Sequence, residues 1–249
     1  MITRALAVNG ARRVYISGRR ENVLKQAAQD VNPDVVIPLP GDVTSQESLL
    51  QMVSKVEEDV GYVNLVVANA GMMGPRPLQV ASGEPLPSIA DYRAHALRTP
   101  MEDFTQTYAV NATGVYYTTL AFLELLDAGN KTGNMGADWK SQVVATSSIA
   151  GFSRLKGASF AYNSSKAAVT HMMKLMATAF APYKIRYVPR VTSRPILLEP
   201  VVSPFFSAST NEFSPYPSQR AMLMYPSSDA TALRLDSFHL TLREEPSPV

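Results

Sequence analysis

Tyr162 and Lys166 stand four residues apart in Tyr162-Asn-Ser-Ser-Lys166, at the head of the apolar segment Ala167–Ala181. On a helix that spacing puts both side chains on one face. A tyrosine keeps its proton up to a pH of roughly 10. A nearby ammonium favours phenolate, which makes the hydroxyl usable as an acid or base closer to neutral pH. Asn111 is a second polar residue of interest, because asparagine is a poor helix former and here lies within a helical pattern. Ser147 and Ser148 follow an apolar run and read equally well as its end. A serine hydrolase built on Ser148 or Ser165 with Lys166 fits poorly. No Gly-x-Ser-x-Gly elbow is present, and Ser165 adjoins Lys166 instead of preceding it by three residues.

Other chemistries are excluded by composition. With no cysteine, disulfides and thiolate chemistry are out, and a reducing compartment fits. His95, His171 and His239 are far apart, so no metal site is expected. A net charge of +2 argues against nucleic acid or a membrane surface as partner. No run approaches the roughly 18 apolar residues that span a membrane, and a cytoplasmic protein is expected. At 249 residues and 46% hydrophobic, the chain can bury a sizeable core.

The elements that must position these residues alternate. A helix over 2–9 precedes a strand Val14–Ser17, a helix over 20–30 and a strand Val35–Ile37. A helix over 46–59, with Thr44 or Ser45 as cap, leads to a strand Val63–Ala68. Residues 72–100 hold five prolines and read as an irregular insertion. A long helix over 101–127 carries Asn111, and Gly129–Gly136 reads as a polar loop. The strand Gln142–Thr146 delivers Ser147 and Ser148, and Lys184–Val188 reads as a further strand after the helix of Lys166. Strands apolar throughout, separated by helices, imply an α/β fold with a Rossmann-like doubly wound parallel sheet. Such sheets bind dinucleotides at the carboxyl ends of their strands.

Five short stretches then fall in a recognisable order. They are Gly41-Asp42-Val43-Thr44, Asn69-Ala70-Gly71, Val110-Asn111-Ala-Thr-Gly114, Ser147-Ser148-Ile-Ala-Gly151 and Tyr162-x-x-x-Lys166. Together they resemble the short-chain dehydrogenase/reductase family over residues 1–188. The resemblance implies an NAD(P)-dependent oxidoreductase acting on a small alcohol or carbonyl substrate. Tyr162 would exchange the proton at the substrate oxygen and also contact the cofactor, and Lys166 would lower its pKa and bind the nicotinamide ribose. Ser148 would hold the substrate oxygen, while Asn111 would position a water in the proton relay. Asp42 and Val43 would contact the adenine, and Asn69, Ala70 and Gly71 would line the ribose and pyrophosphate. The helices 101–127 and 167–181 would build a homodimer or homotetramer.

Cofactor choice is expected at Ser17-Gly18-Arg19-Arg20, where no acid is placed to accept a ribose hydroxyl. A guanidinium at Arg19 suits a 2′-phosphate, so NADP is expected over NAD.

The ends depart from the family. Met1 falls in the helix that should follow the family's glycine-rich phosphate turn. The strand before that turn, central in the doubly wound order, is expected to be missing, leaving its neighbours facing across a gap. Residues 189–249 form a tail with nine prolines, ten serines and no glycine, and only a weak helical pattern near 227–235. The family's last strand is not found there. A frame or splice change near residue 188 would explain the loss of pattern. These departures raise an alternative: a catalytically inactive remnant that retains only a dimerisation or binding role.

Overall fold

The computed structural model describes residues 1–80, 83–154 and 159–191. Its centre is Gln142-Val-Val-Ala-Thr146, an apolar run long enough for a strand and too short for a helix. This strand (called β4 in chain order) is flanked by β3, Leu65–Ala68, and β5, Arg186–Arg190, both parallel to it. Val66 lies opposite Val143, and Val143 opposite Tyr187, so the inward side chains stack across the sheet. A second parallel pair joins β1, Val14–Gly18, to β2, Val36–Pro40. Among the described residues no strand links β1 to β3. The parallel α/β arrangement is as expected.

Helices hold the two sheets together. The helix α1 spans Ile2–Val8 and α2 spans Glu21–Gln29. Leu6, Ala7 and Ala28 from these helices pack on Val14, Ile16 and Val36. Helix α3, Gln46–Asp59, starts where Ser45 Oγ accepts the Ser48 N–H at 3.2 Å. Its Leu49, Met52 and Val56 cover Leu39 and Tyr15, and the Tyr15 hydroxyl donates to Asp59 at its far end. The same cluster takes in Val63, Phe122 and Leu125, which belong to the side of the larger sheet. Burying a residue such as Leu49 or Val56 contributes about 1.5–3 kcal/mol, so this helical layer is the main tie between the sheets.

Three expectations need correction. The stretch 72–100 is not irregular throughout. Helix α4, Ile89–Ala96, starts at Ser88, whose Oγ accepts the Asp91 N–H at 3.1 Å and donates to Asp91 Oδ2 at 2.7 Å. The helix expected over 101–127 is three: α5 Met101–Tyr108, α6 Gly114–Ala121 and α7 Leu123–Thr132. A π turn, Ala109–Thr113, separates the first two, and the backbone at Phe122 breaks the last two. Helix α7 also runs through Gly129, which had read as the start of a loop. A Cβ there would lie 2.3 Å from the Val63 carbonyl oxygen, so this glycine permits close packing of helix on chain. The true stop is Gly133, at φ 66°.

Helix α8, Phe160–Ala179, includes both Tyr162 and Lys166 and is longer than the apolar segment alone predicts. Ser159 Oγ caps it by accepting the Tyr162 N–H at 3.3 Å. Val169, Met173 and Met176 pack on Val143, Ala145, Ile185 and Tyr187. No helix among the described residues is long and apolar enough to cross a membrane. The weak helical pattern expected near 227–235 lies outside the described residues, as do residues 155–158.

Candidate active site

The carboxyl ends of β3 and β4 and the first turns of α8 converge on Lys166. Its ammonium donates to the Thr146 carbonyl oxygen at 2.7 Å and lies 5.7 Å from the centre of the Tyr162 ring. The lysine is only 3% exposed and forms no ion pair with a carboxylate among the described residues. Burial pushes its pKa down from 10.5 to about 8, because the charged form loses hydration. It is still mainly protonated at neutral pH. Tyr162 is buried too, and its hydroxyl finds no hydrogen-bond partner among the described residues. A phenol and an ammonium therefore share one helix face, as the spacing predicts.

The two serines after β4 separate by role. Ser147 Oγ donates to the Lys166 carbonyl oxygen at 3.0 Å and lies 2.6 Å from Thr170 Oγ1, stapling β4 to α8. Ser148 Oγ accepts the Ala150 N–H at 3.1 Å, starting the short 3₁₀ turn Ile149–Gly151. Its own hydrogen has no acceptor among the described residues and can be offered to a ligand oxygen.

Asn111 sits at the middle of the π turn and is fully buried. Its Oδ1 accepts the Met72 N–H at 2.8 Å, and its Nδ2 donates to Met72 O and to Ser165 Oγ, both at 2.9 Å. Both side-chain N–H groups are thus taken by protein. A relay water would meet this residue through its backbone or through the second lone pair of Oδ1, which among the described residues accepts only from Met72 N. π turns are rare and concentrate at functional sites.

Three residues not expected to take part in the tyrosine–lysine site support this centre. Thr146 supplies the lysine's acceptor through its carbonyl, while its Oγ1 donates to Asn69 Oδ1 at 2.8 Å. Ser165 is fully buried between Asn111 and the Tyr162 carbonyl oxygen, to which it donates at 2.8 Å. That commitment also removes Ser165 as a hydrolase nucleophile. Gly151 lies against the backbone of α8, where an added Cβ would be 2.8 Å from Ala167 N and 2.9 Å from the Lys166 carbonyl carbon. Backbone contacts involve no variable spacing that a motif could reveal, and only the glycine at 151 hinted at this one.

Gly151→Ala is therefore expected to push the Ser148 turn off α8. Overpacking of this kind costs about 1–3 kcal/mol, read as a lower midpoint in urea. An unchanged midpoint would mean that the turn and helix are not in fixed contact.

The expected cofactor residues lie along the same edge. Asn69, Ala70 and Gly71 follow β3 and are exposed. A Cβ on Gly71 would come within 3.3 Å of Asn111 Oδ1 and 3.5 Å of Lys166 Nζ, so the chain passes close over the centre there. Asp42 and Val43 follow β2. Asp42 Oδ1 accepts from Thr44 N at 2.9 Å and from Thr44 Oγ1 at 2.7 Å, which hold its carboxyl below the usual range. Arg19, exposed at the end of β1, is close enough to act on that carboxylate in the same direction. Val43 rests on Gly114, whose missing Cβ would be 3.1 Å from Val43 Cγ2. These are the residues that would hold the adenosine and nicotinamide-ribose ends of a dinucleotide. No described segment adds a glycine-rich turn for the pyrophosphate between them.

With this geometry in place, the likeness to known proteins is informative. Residues 1–192 match the short chain dehydrogenase family. The short-chain dehydrogenase/reductase PhomF of Diaporthe leptostromiformis is 44% identical over 188 residues, covering 75% of this chain and 62% of that protein. The chain therefore spans about three fifths of that relative's length. SAT3 of Stachybotrys chartarum, also named a short-chain dehydrogenase/reductase, is 41% identical over 74% of this chain and 71% of its own. Among solved structures, a short-chain type dehydrogenase/reductase from Mycobacterium marinum superposes with a TM-score of 0.60 at 25% identity, covering 76% of this chain and 65% of that one. An alcohol dehydrogenase from Thermococcus sibiricus, complexed with 5-hydroxy-NADP, gives 0.58 at 26% identity, covering 76% of this chain and 68% of that one. Fold, order of motifs and sequence likeness agree, and the chain belongs to the short-chain dehydrogenase family of oxidoreductases.

Proposed function

We propose that this protein is an NADP-dependent oxidoreductase that interconverts an alcohol and a carbonyl compound, with Tyr162 as acid and base. The observation that carries this reading is the buried Tyr162–Lys166 pair with the donor-ready Ser148 hydroxyl at the end of β4. In the reducing direction, Ser148 donates a hydrogen bond to the substrate oxygen and polarises the carbonyl. The Tyr162 O–H bond then breaks and its proton passes to that oxygen as charge builds there. The Lys166 ammonium stabilises the negative charge left on the phenol oxygen. A bound nicotinamide supplies the hydride, or accepts it in the reverse direction. Lys166 and the Asn69–Gly71 turn would hold its ribose, and Asp42 and Val43 the adenine. Asn111 keeps the turn and α8 in register.

Arg19, just after β1 and with no acid between Val14 and Arg20, supports the preference for NADP. A charge-assisted hydrogen bond to phosphate is worth about 1.5–3 kcal/mol, which is roughly tenfold or more in affinity. In a fluorescence titration, Arg19→Ala should weaken NADPH at least about tenfold and leave NADH unchanged. An equal effect on both would overturn the assignment of Arg19.

Phe104, Tyr116, Tyr117 and Leu175 leave apolar surface exposed on α5, α6 and α8. These helices are our choice for a homodimer or homotetramer interface. A second reading, binding without turnover, is favoured by one observation. The β1–β2 pair and the β3–β4–β5 sheet share no strand among the described residues, so the two ends of the cofactor site are carried separately. The boundary expected after residue 188 falls inside β5, so we assign residues 1–190 to the catalytic domain; residues 192–249 lie outside the described residues.

A further inference from the structure

We propose that Ser165 is a positioning residue that locks the Asn111 turn to the turn of α8 bearing Tyr162. Its role in activity rests on the reading of Tyr162 as acid and base; its role in register does not. A serine in a helix commonly donates back to the carbonyl three or four residues earlier, and such a bond alone carries little meaning. Ser165 does donate to Tyr162 O, but it also accepts from Asn111, which is 54 positions away in the chain. Both residues are completely buried, and the hydroxyl uses its hydrogen and a lone pair on two different elements.

The π turn explains why such a tie is required. Its wider hydrogen-bonding pattern inserts one residue into the helix, so the continuing helix does not by itself set where Asn111 points. Four contacts on the asparagine and serine close the chain from Met72 through Asn111 and Ser165 to Tyr162. Met72 follows the Asn69–Gly71 turn. One serine oxygen therefore connects the segment over the lysine, the π turn and the helix of the tyrosine. Alanine at 165 would leave a buried Asn111 N–H without its acceptor, and the amide must rotate or draw in water. Threonine would keep the hydroxyl.

The test compares wild type, Ser165→Ala and Ser165→Thr in the full chain, with ¹⁵N-labelled asparagine. Wild type and Ser165→Thr should show an Asn111 side-chain amide pair protected from solvent exchange. In Ser165→Ala one proton of that pair should shift and lose at least about tenfold in protection. Where wild type turns over a ketone with NADPH, Ser165→Ala should lower kcat about tenfold with KM for NADPH unchanged, and Ser165→Thr should recover it. An Asn111 pair unmoved by Ser165→Ala overturns the proposal, as does a shifted pair with unchanged kcat. If wild type shows no turnover, the oxidoreductase reading falls and the amide signals still decide the role of Ser165. If a melting curve shows that threonine is not accommodated, the alanine spectrum alone decides it.

Discussion

Lys166→Met is expected to make the protein more stable at pH 7, by about 1–2 kcal/mol, while abolishing the proposed chemistry. The buried ammonium has a folded-state pKa of about 8 against 10.5 for an unperturbed lysine, through loss of hydration. At about 1.4 kcal/mol per pKa unit, the difference amounts to about 3.5 kcal/mol. The hydrogen bond to Thr146 O, which methionine forfeits, offsets part of the gain. The sign with pH follows from proton counts. Below pH 8 both folded and unfolded chains carry the charge, and the penalty is at its full size. Between pH 8 and 10.5 the folded chain gives up its proton first, so the unfolded chain binds more protons and stability rises with pH. Above 10.5 the penalty is gone. Urea midpoints of the two proteins should therefore converge as pH rises through this window, because other titrations are common to both. A constant difference, or a less stable Lys166→Met at pH 7, would show that the ammonium is better solvated than its burial implies. A charge kept at such a cost is typical of a site retained for chemistry.

The fold was legible where local signals were strong and unopposed. Gln142–Thr146 and Gln46–Asp59 have the bounds that their apolar run and serine cap predict. The strand expected at 184–188 begins two residues later. Ala181–Tyr183 forms a 3₁₀ turn and Lys184 takes the left-handed conformation at φ 58°, which the apolar pattern does not report. Pro189 is tolerated in β5 because the strand is an edge among the described residues. Gly129 was misread because a glycine needed for close approach looks like a glycine that ends a helix.

At the site, the residue types were legible and their partners were not. The Tyr162–Lys166 spacing predicted a shared helix face, and the motif order predicted that Ser148 and Asn111 would join them. The acceptor for Lys166 is a backbone carbonyl, whose identity no side-chain pattern encodes. The choice between Ser147 and Ser148 was open in the sequence. It is sharpened by Ser147 reaching Thr170, a contact made possible only by the docking of α8 on the end of β4. Asn111 in a helical stretch was noticed as a poor helix former, yet neither the π turn it occupies nor its ties to the distant Met72 and Ser165 can be read from the local pattern.

The second large effect concerns Tyr162, and it bears on the central claim. Tyr162→Phe removes one oxygen and its proton while keeping the ring that packs beside Lys166. Proton transfer by a positioned side chain is worth about a hundredfold to ten-thousandfold in rate. No other described side chain has a free hydroxyl in the same helix turn, since Ser165 is committed to Asn111 and Tyr162 O, and Ser164 donates to Phe160 O. The loss should fall on kcat and leave NADPH affinity nearly unchanged. The most direct measurement is the rate of NADPH oxidation with a panel of ketones, for wild type and Tyr162→Phe, at cofactor concentrations shown to saturate both. The account predicts measurable turnover by wild type and a drop of about a thousandfold in the variant, with equal NADPH binding. Turnover that survives the loss of the hydroxyl, or a wild type that binds NADPH and oxidises none, would contradict it.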